Sequence, residues 1–463
     1  MIFMFKKKTP FKLAGLLLIG VFLLTSGFGC KSEDPQSSKY MQPITINYWR
    51  VFDDEDAFEE IISAYRLLHP NVTIKYRKFR LEEYESELLN ALAEDRGPDI
   101  FSIPQSWLIK YQTKISPMPE TITKGYLIEK SYLGGFKKEQ TVEVRKETTP
   151  ALREIRSIYT DGIYEDVVRG NQVWGLPLYL DSLIMFYNRD IINQAGIAEI
   201  PDNWNDFQEA VVKTTKFETE TKIAQSGTAL GTGYNVEGAF DIISILMMQG
   251  GAKMTDARGM PSFFSDVGER GNNPGLTALQ FYTDFAQPMK NVYSWNKEMP
   301  GSLNAFEAGK VGFFFGYNYH IPQIRSRSRV NFGMAGLPQI PGNPVVNYAN
   351  YYVETVSNKS ANQDMAWDFL LFINQQDNIK KYLAETGRPT AQRALIGEQL
   401  EDDWLYPSAS QVLTARTWYR GKNIGAVEAI FKEMTEQFLI TFDSREINKL
   451  LSNVIQRVAQ TIN

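Results

Sequence analysis

The folded part of the chain opens with apolar side chains that first alternate with polar ones and then recur at helical spacing. Alternation over 44–48 is followed by apolar positions three or four residues apart over 58–68, and alternation returns over 72–76. This order predicts a strand, a helix and a second strand. Another helical pattern at 84–92 leads into a short apolar strand at 100–103. Strands that alternate with helices predict a mainly parallel sheet covered on both faces.

The pattern weakens between 116 and 169 and then returns. Prolines, a Gly-Gly pair and a charge-rich stretch interrupt the weak segment, so we expect an irregular excursion with some helix there. Beyond it, the apolar periodicity predicts a second α/β region. Its strands are expected at 173–180, 184–188, 311–315, 332–337 and 351–356, and its helices at 204–215, 238–249, 274–286, from 364 onward, and at 427–438 and 447–458.

The first 29 residues have the order of a signal peptide. Four lysines and no acidic residue lie within 1–12, and an uninterrupted apolar run of 12 residues follows at 13–24. A helix that crosses a membrane needs about 20 apolar residues, so this run is short for a permanent span. We therefore predict a signal peptide at 1–29.

The single cysteine of the chain follows this leader directly. Residues 25–30 resemble a bacterial lipobox, in which the cysteine becomes the lipidated first residue of the mature protein, although Gly27 stands where Leu is usual. A polar segment with no core to enter follows Cys30, which argues against a buried structural cysteine. We predict lipidation at Cys30, a flexible linker over 30–43 and an extracytoplasmic body tied to the outer face of a membrane. An uncleaved leader or a periplasmic location is the alternative.

Composition indicates a globular protein with more than one core. The chain is 43% hydrophobic and 13% aromatic, and the roughly 420 residues after the linker exceed what one core usually serves. Without the four leader lysines, 45 basic side chains face 54 acidic ones, a net charge of about −9. That charge argues against nucleic acid as a partner and favours a neutral or weakly charged ligand.

Several short motifs follow one another along the chain. They are Gly97-Pro98-Asp99, Gly175-Leu176-Pro177, Tyr187-Asn188-Arg189-Asp190, Pro201 with Trp204 and Phe207, Phe306 with Gly309-Lys310, and Gly387-Arg388-Pro389. In this order they resemble extracellular solute-binding protein family 1, whose members bind sugars for ABC importers. The resemblance extends from about 44 to the C-terminus and leaves out 116–169.

The resemblance implies an α/β, two-lobed fold of the periplasmic-binding-protein type II class, with a hinge and a ligand cleft between the lobes. Lobe 1 would comprise 44–160 and 356–397, with the irregular insertion at about 116–169, and lobe 2 would comprise 161–355 and 398–463. The chain would then cross the hinge three times. Ligands of open α/β sheets lie at the carboxyl ends of the strands.

A carbohydrate cleft needs aromatic platforms beside hydrogen-bonding side chains, because sugars present apolar faces and hydroxyl edges. Such side chains stand near the predicted strand ends and at the positions that the family uses. The expected ligand-binding residues are Trp49, Arg50, Asp53, Gln105, Tyr179, Asp181, Tyr317, Asn318, Asn350, Tyr351, Arg388 and Trp418. For Trp107 and Tyr352, packing in the core or on the surface is the favoured interpretation.

The predicted function is capture of a mono- or oligosaccharide by a monomer whose closed form an ABC permease recognises. No catalytic residue, cofactor or metal is expected: the motifs HExxH and GxSxG and the P-loop do not occur, and His69 and His320 are far apart in the sequence. Two alternatives stay open. A secreted glycan-acting enzyme would use two carboxylates at a defined separation, and a surface sensor or adhesin would keep the fold without transport.

Overall fold

The computed structural model describes residues 40–132, 137–219, 222–265 and 273–462. The predicted signal peptide and Cys30 lie outside these residues. Within the described ranges, no helix has both the length and the apolar character needed to span a membrane.

The strands, in chain order, are β1 Ile44–Arg50, β2 Val72–Lys78, β3 Ile100–Pro104, β4 Ile115–Ser116, β5 Thr121–Tyr132, β6 Lys137–Thr148, β7 Val168–Arg169, β8 Gln172–Val173, β9 Asp181–Ser182, β10 Ile184–Asn188, β11 Lys216–Phe217, β12 Ile223–Thr228, β13 Val311–Gly316, β14 Phe332–Ala335, β15 Asn347–Asn350, β16 Tyr352–Ser357 and β17 Ala415–Arg416.

The helices are α1 Asp56–Leu68, α2 Leu81–Ala93, α3 Leu108–Tyr111, α4 Leu152–Ile158, α5 Asp161–Val167, α6 Arg189–Gln194, α7 Trp204–Thr214, α8 Ala239–Gln249, α9 Pro274–Asp284, α10 Ser302–Glu307, α11 Ile321–Arg327, α12 Gln363–Ile373, α13 Gln376–Thr386, α14 Ile396–Gln399, α15 Tyr406–Ala409, α16 Ile424–Ile440 and α17 Ser444–Gln460. The helices expected from apolar periodicity are therefore present, with ends that shift by a few residues.

Two five-stranded sheets organise the chain, and both mix parallel and antiparallel pairs. The first has the order β2-β1-β3-β16-β4, with β1 parallel to β2 and β3, and with β16 antiparallel to its neighbours. The second has the order β11-β12-β13-β10-β14, in which only β12 and β13 run parallel. An α/β fold is confirmed, but the expectation of mainly parallel sheets holds only for the β1–β3 part.

Each sheet has its own hydrophobic core. The first core takes its buried side chains from 46–180 and 349–415, and the second from 183–348 and 418–458. The chain therefore passes from one core to the other three times. A small sheet of order β17-β15-β9 lies at these three crossings.

The predicted lobe boundaries need correction. The sequence predicts the changes of lobe at 160/161, 355/356 and 397/398, whereas the buried side chains change core near 181, 348 and 416. Ile163, Val173 and Leu176 are fully or almost fully buried in the first core, so the segment 161–180 belongs with it. An apolar pattern predicts burial, but it does not tell which of two cores receives the side chain.

The segment at 116–169 is more regular than its sequence suggests. It contains the two-stranded hairpin of β5 and β6, followed by α4 and α5. The described residues 125–132 and 137–145 of the hairpin form a compact unit with residues 40–42, and within this unit the Arg145 guanidinium lies 4.8 Å from the Tyr126 ring centre. The second strand, β6, is mostly charged, so it lacks the sustained apolar alternation that would have predicted a hairpin.

The motif Gly175-Leu176-Pro177 pairs with β16 through backbone hydrogen bonds. Leu176 and Glu354 exchange two backbone hydrogen bonds of 3.0 and 2.9 Å. A side chain at Gly175 would collide with Val353 and would lie 2.6 Å from the Glu354 carbonyl oxygen. Glycine is therefore required here for a close approach of two backbone segments.

Gly175→Ala is expected to lower the free energy of unfolding by roughly 1–3 kcal/mol, because the added methyl group must displace backbone in a packed core. Gly397→Ala is the matched control, since a Cβ there has no neighbouring atom within 4 Å. Urea denaturation of the purified proteins measures both. Equal stability of the two variants would contradict this account of the motif.

Candidate functional site

A cleft with a volume of about 610 Å³ lies where strands and loops of both cores meet. Phe52 follows β1, Gln105 follows β3 and Tyr319 follows β13, so each of these side chains comes shortly after the carboxyl end of a strand. The cleft therefore occupies the usual position of a ligand site in an open α/β fold. Its other walls include Trp107, Tyr179, Asp181, Glu237, Phe240, Asp241, Tyr348, Asn350, Tyr352, Arg388, Lys422 and Glu428.

Aromatic rings line this cleft from both sides. Phe52 and Tyr352 pack edge to face at 5.1 Å, and Tyr319, which is 42% exposed, stacks at 5.5 Å over Tyr317. Trp107 is held parallel to a neighbouring tyrosine ring at 5.6 Å. These contacts fix the rings and leave flat apolar faces toward the cavity, which suits a ligand with apolar faces and polar edges.

Arg388 links the cleft to a buried charge network. Its guanidinium lies 4.2 Å from the ring centre of Tyr179, and its Nε and Nη2 donate to Asp53 Oδ1 at 2.9 and 2.8 Å. Asp53 is also 3.0 Å from Arg50. Burial alone would raise the pKa of the Asp53 carboxyl, but Arg50 and Arg388 hold it below its ordinary value. Arg388 is thus fixed in orientation before any ligand arrives.

Asp181 lies at the floor of the cleft and is only 1% exposed. Its Oδ1 accepts the backbone N–H of Ser182 at 2.9 Å, and the backbone amides of Asn318 and Tyr319 face the carboxyl. Its Oδ2 forms no hydrogen bond with any residue that the structure describes. Burial raises the pKa of Asp181 from the ordinary 3.8 to about 7. The floor of the cleft therefore contains a buried carboxyl that binds a proton near neutral pH.

The cleft continues into an adjoining cavity of about 430 Å³, here called the extension, which is lined by residues of α8, α10, β13 and α16 and by the loops around them. Asp241 accepts the Tyr317 hydroxyl at 2.7 Å, and Tyr348 is its second hydrogen-bond partner. Burial and the charges of Glu428 and Glu237 raise the pKa of Asp241 to about 7. The extension is thus polar and acidic.

Five of the twelve predicted site residues line the main cleft: Gln105, Tyr179, Asp181, Asn350 and Arg388. Asn350 also lines the extension, together with Tyr317. Asp53 and Asn318 line a neighbouring open cavity of about 1130 Å³, which shares Arg388 with the cleft.

The other four predicted residues lie elsewhere, and each has a packing reason. Trp49 is partly buried and packs at 4.6 Å against Phe79, a buried member of the first core. Arg50, Tyr351 and Trp418 are 2%, 1% and 3% exposed. Arg50 pairs with Glu354 and Asp53, Tyr351 donates to Asp166 at 2.7 Å, and the Trp418 indole donates to Ser244 at 2.9 Å.

Sequence reasoning missed several side chains that line the cleft. Tyr352 could have been found from strand alternation: if Tyr351 points into the core, its neighbour must point the other way. Trp107 stands two residues after Gln105, in the same strand-end loop. By contrast, Glu237, Asp241 and Glu428 are brought to the cleft by tertiary packing of α8 and α16 and have no local signal. No group of three His, Cys, Asp or Glu side chains that could hold a metal ion occurs in the described part of the chain.

Comparison with known proteins gives the family. Residues 52–380 match the family model of the bacterial extracellular solute-binding proteins, and the chain belongs to this family. Over 254 residues it is 22% identical to the galactooligosaccharide-binding protein of Bacillus subtilis, a match that spans 53% of this chain and 56% of that protein. The chain thus aligns with little more than half the length of this relative.

Two solved structures have a similar fold. The cyclic alpha-maltosyl-1,6-maltose binding protein of Arthrobacter globiformis superposes with a TM-score of 0.69 and 18% identity, over 90% of this chain and 99% of that one. The sugar-binding protein MalE of Xanthomonas citri gives a TM-score of 0.66 and 16% identity, over 90% and 98%. The two-lobed fold of the periplasmic binding proteins, which the sequence predicts, is thereby confirmed.

Asp181→Asn is expected to stabilise the ligand-free protein, and only above acidic pH. Between pH 4 and 7 the folded state keeps a proton that the unfolded state releases, so the buried carboxyl weakens folding as the pH rises through that window and no further above it. The advantage of the variant should therefore be roughly 2–4 kcal/mol at pH 8 and about a third of that at pH 5.

Urea denaturation at the two pH values measures this difference, with the exposed Asp403→Asn as the control. A stability gain of equal size at pH 5 and pH 8 would contradict the assignment of a buried, proton-binding carboxyl to Asp181.

Proposed function

We propose that this protein captures a carbohydrate in the cleft between its two lobes and delivers it to an ABC importer. The observation that carries the proposal is the composition of the cleft, in which aromatic faces from both cores stand beside hydrogen-bonding side chains. Mono- and oligosaccharides need this combination. The sugars named for relatives of the same family and fold support the same class of ligand.

The residues proposed to contact the sugar are those that line the cleft. Gln105, Asp181, Asn350 and Arg388 would hydrogen-bond to hydroxyl groups, since each is fixed near the floor or the rim. Tyr179 packs under the Arg388 guanidinium and would hold it in place. The aromatic platforms would be supplied by Trp107, Tyr319 and Tyr352.

Binding would act as the switch, and no chemical step is required. Lobe 1 would comprise 44–124, 146–180 and 349–415, lobe 2 would comprise 183–348 and 418–462, and the three crossings near β9, β15 and β17 would form the hinge. A ligand that touches both lobes favours the closed form by the extra contacts it makes there. A permease that recognises the closed form would then receive only loaded protein, which we propose acts as a monomer.

The family supports a location outside the cytoplasm. Cleavage of the leader before Cys30 and lipidation of that residue would keep the body near the importer in the membrane. The polar linker 30–43 would give the body reach and freedom to rotate.

A thermal-shift screen over mono- and oligosaccharides, with amino acids and peptides as controls, tests the proposal. A bound sugar at 100 times its dissociation constant should stabilise the protein by about 2.7 kcal/mol. A shift with a peptide and with no sugar would refute the carbohydrate assignment. Shortening of the sugar over time would refute binding without catalysis and favour the glycan-acting enzyme.

Tyr319→Ala should weaken binding of the sugar found in the screen by about tenfold, because it removes an exposed ring that stacks over Tyr317. Tyr406→Ala is the matched control: Tyr406 is 54% exposed and does not line the cleft. Isothermal titration of both variants measures the change. Unaltered affinity in Tyr319→Ala would remove this ring from the proposed platform.

A further inference from the structure

The main cleft adjoins the neighbouring space of about 1130 Å³, here called the open cavity. Phe52, Tyr319 and Arg388 line both spaces, so the two meet between these side chains. At about 610 Å³ the main cleft already has the volume of a complete small-molecule site, which is about 300–1,000 Å³. The open cavity therefore offers room for a ligand longer than one that the main cleft alone would hold.

A tryptophan ring stands at a fixed position in the open cavity. Trp404 lies in the loop between α14 and α15, lines this cavity and is 44% exposed. Its backbone N–H donates to Asp402 Oδ1 at 2.8 Å, and its ring packs edge to face at 5.8 Å against Phe332, a buried member of the second core. An exposed ring that is already held in place suits a ligand with apolar faces, because little conformational freedom is lost on binding.

Arg325 brings hydrogen-bond donors beside this ring. Its guanidinium lies 3.7 Å from the centre of the Trp404 ring and lines the same cavity. The side chain is exposed, and it forms no ion pair or hydrogen bond with any residue in the described part of the chain. A guanidinium stacked on a ring keeps its N–H groups at its own edge, where they can donate to hydroxyl groups. The pair thus combines an apolar face with donors, as a sugar ring requires.

The helix that carries Arg325 also sets its distance from the main cleft. Tyr319, a platform of the main cleft, belongs to the short helical turn that leads directly into α11, and Arg325 lies near the end of α11. The six residues from 319 to 325 correspond to roughly 9 Å at a helical rise of about 1.5 Å per residue. One sugar ring is too small to cover both Tyr319 and the ring under Arg325, whereas different units of one sugar chain can do so.

We propose that Trp404 and Arg325 form a second sugar subsite in the open cavity, so that the preferred ligand is a linear oligosaccharide that passes between Phe52 and Tyr319 and occupies both spaces. The Trp404 ring would contact the apolar face of a distal sugar unit, and Arg325 would donate to its hydroxyl groups. This inference rests on the proposed carbohydrate function and narrows it from mono- or oligosaccharides to chains longer than a disaccharide.

Sugar chains of increasing length test this inference. The probes are the monosaccharides and the linear chains of two to five units in four series: α-1,4-glucose, β-1,4-glucose, β-1,4-galactose and β-1,4-mannose. Isothermal titration against the full protein should show, in the series that binds, at least tenfold tighter binding of the pentasaccharide than of the disaccharide. The gain should end once the chain is long enough to reach Trp404, because further units would find no platform.

Substitutions in the open cavity should affect only the long chains. Trp404→Ala should weaken binding of the pentasaccharide about tenfold and binding of the disaccharide less than twofold, and Arg325→Ala should weaken the pentasaccharide at least threefold. Trp404→Phe keeps an aromatic face and should retain most of the gain with length.

Two neighbouring residues provide matched controls. Tyr406→Ala and Arg327→Ala remove exposed side chains next to Trp404 and Arg325 in the chain, and neither residue lines the cleft or the open cavity. Both variants should bind every chain as the unsubstituted protein does. Circular dichroism melting curves check that all five variants fold.

The outcomes separate this inference from the function on which it rests. Affinity that does not increase beyond the disaccharide, or binding of monosaccharides alone, would overturn the second subsite and leave carbohydrate capture intact. A gain with length that Trp404→Ala leaves unchanged, or an equal loss for short and long chains in that variant, would also overturn it. If peptides bind and no sugar does, the carbohydrate function itself fails and the inference fails with it.

Discussion

The buried Arg50 guanidinium is the charge around which the first wall of the cleft is built. It is 2% exposed and lies 3.0 Å from Asp53 and 3.3 Å from Glu354. A buried charge is tolerated only when it is paired, and removal of one partner from such a pair typically costs about 3–5 kcal/mol. Glu354 also accepts the hydroxyls of Tyr48 and Ser102 at 2.7 and 3.0 Å. The network therefore ties β1, β3 and β16 together at the edge that faces the ligand.

This network also explains why the two walls of the cleft differ in charge. The first wall is formed by residues of the first core and the second wall by residues of the second core. Asp53 forms a second ion pair with Arg388, and the Arg388 guanidinium lies over the Tyr179 ring. The charges of the first wall are therefore paired and fixed in position. The second wall has carboxyls without such partners: Asp241 is held by tyrosine hydroxyls rather than by a cation. Hydrogen bonds from neutral donors add no positive charge, and burial raises the pKa of Asp241 to about 7.

The sequence could predict the helices, the strands and the fold class, because buried apolar side chains recur at a regular spacing along each helix and strand. This spacing can be recognised without knowledge of the tertiary structure. The sequence could not predict the hairpin of β5 and β6, because β6 is mostly charged, or the core to which 161–180 belongs. For the site, Gln105 was predictable from its position directly after β3, and Asp181 was predicted as the end of a strand at 173–180 although it lies on the short strand β9. The burial of Trp418 was not predictable, since an aromatic side chain has the same appearance in a sequence whether it packs in a core or lines a cleft.

The small sheet at the three crossings forms part of the cleft floor. Asp181 and Asn350 are direct partners in the antiparallel pair of β9 and β15, and both side chains line the cleft. The strands that carry the chain between the two cores therefore supply part of the binding surface. A ligand that hydrogen-bonds to this floor contacts the crossing strands as well as the walls. Under the proposed hinge mechanism, its binding energy would depend on how these strands are bent, and such a ligand would shift the balance between open and closed forms.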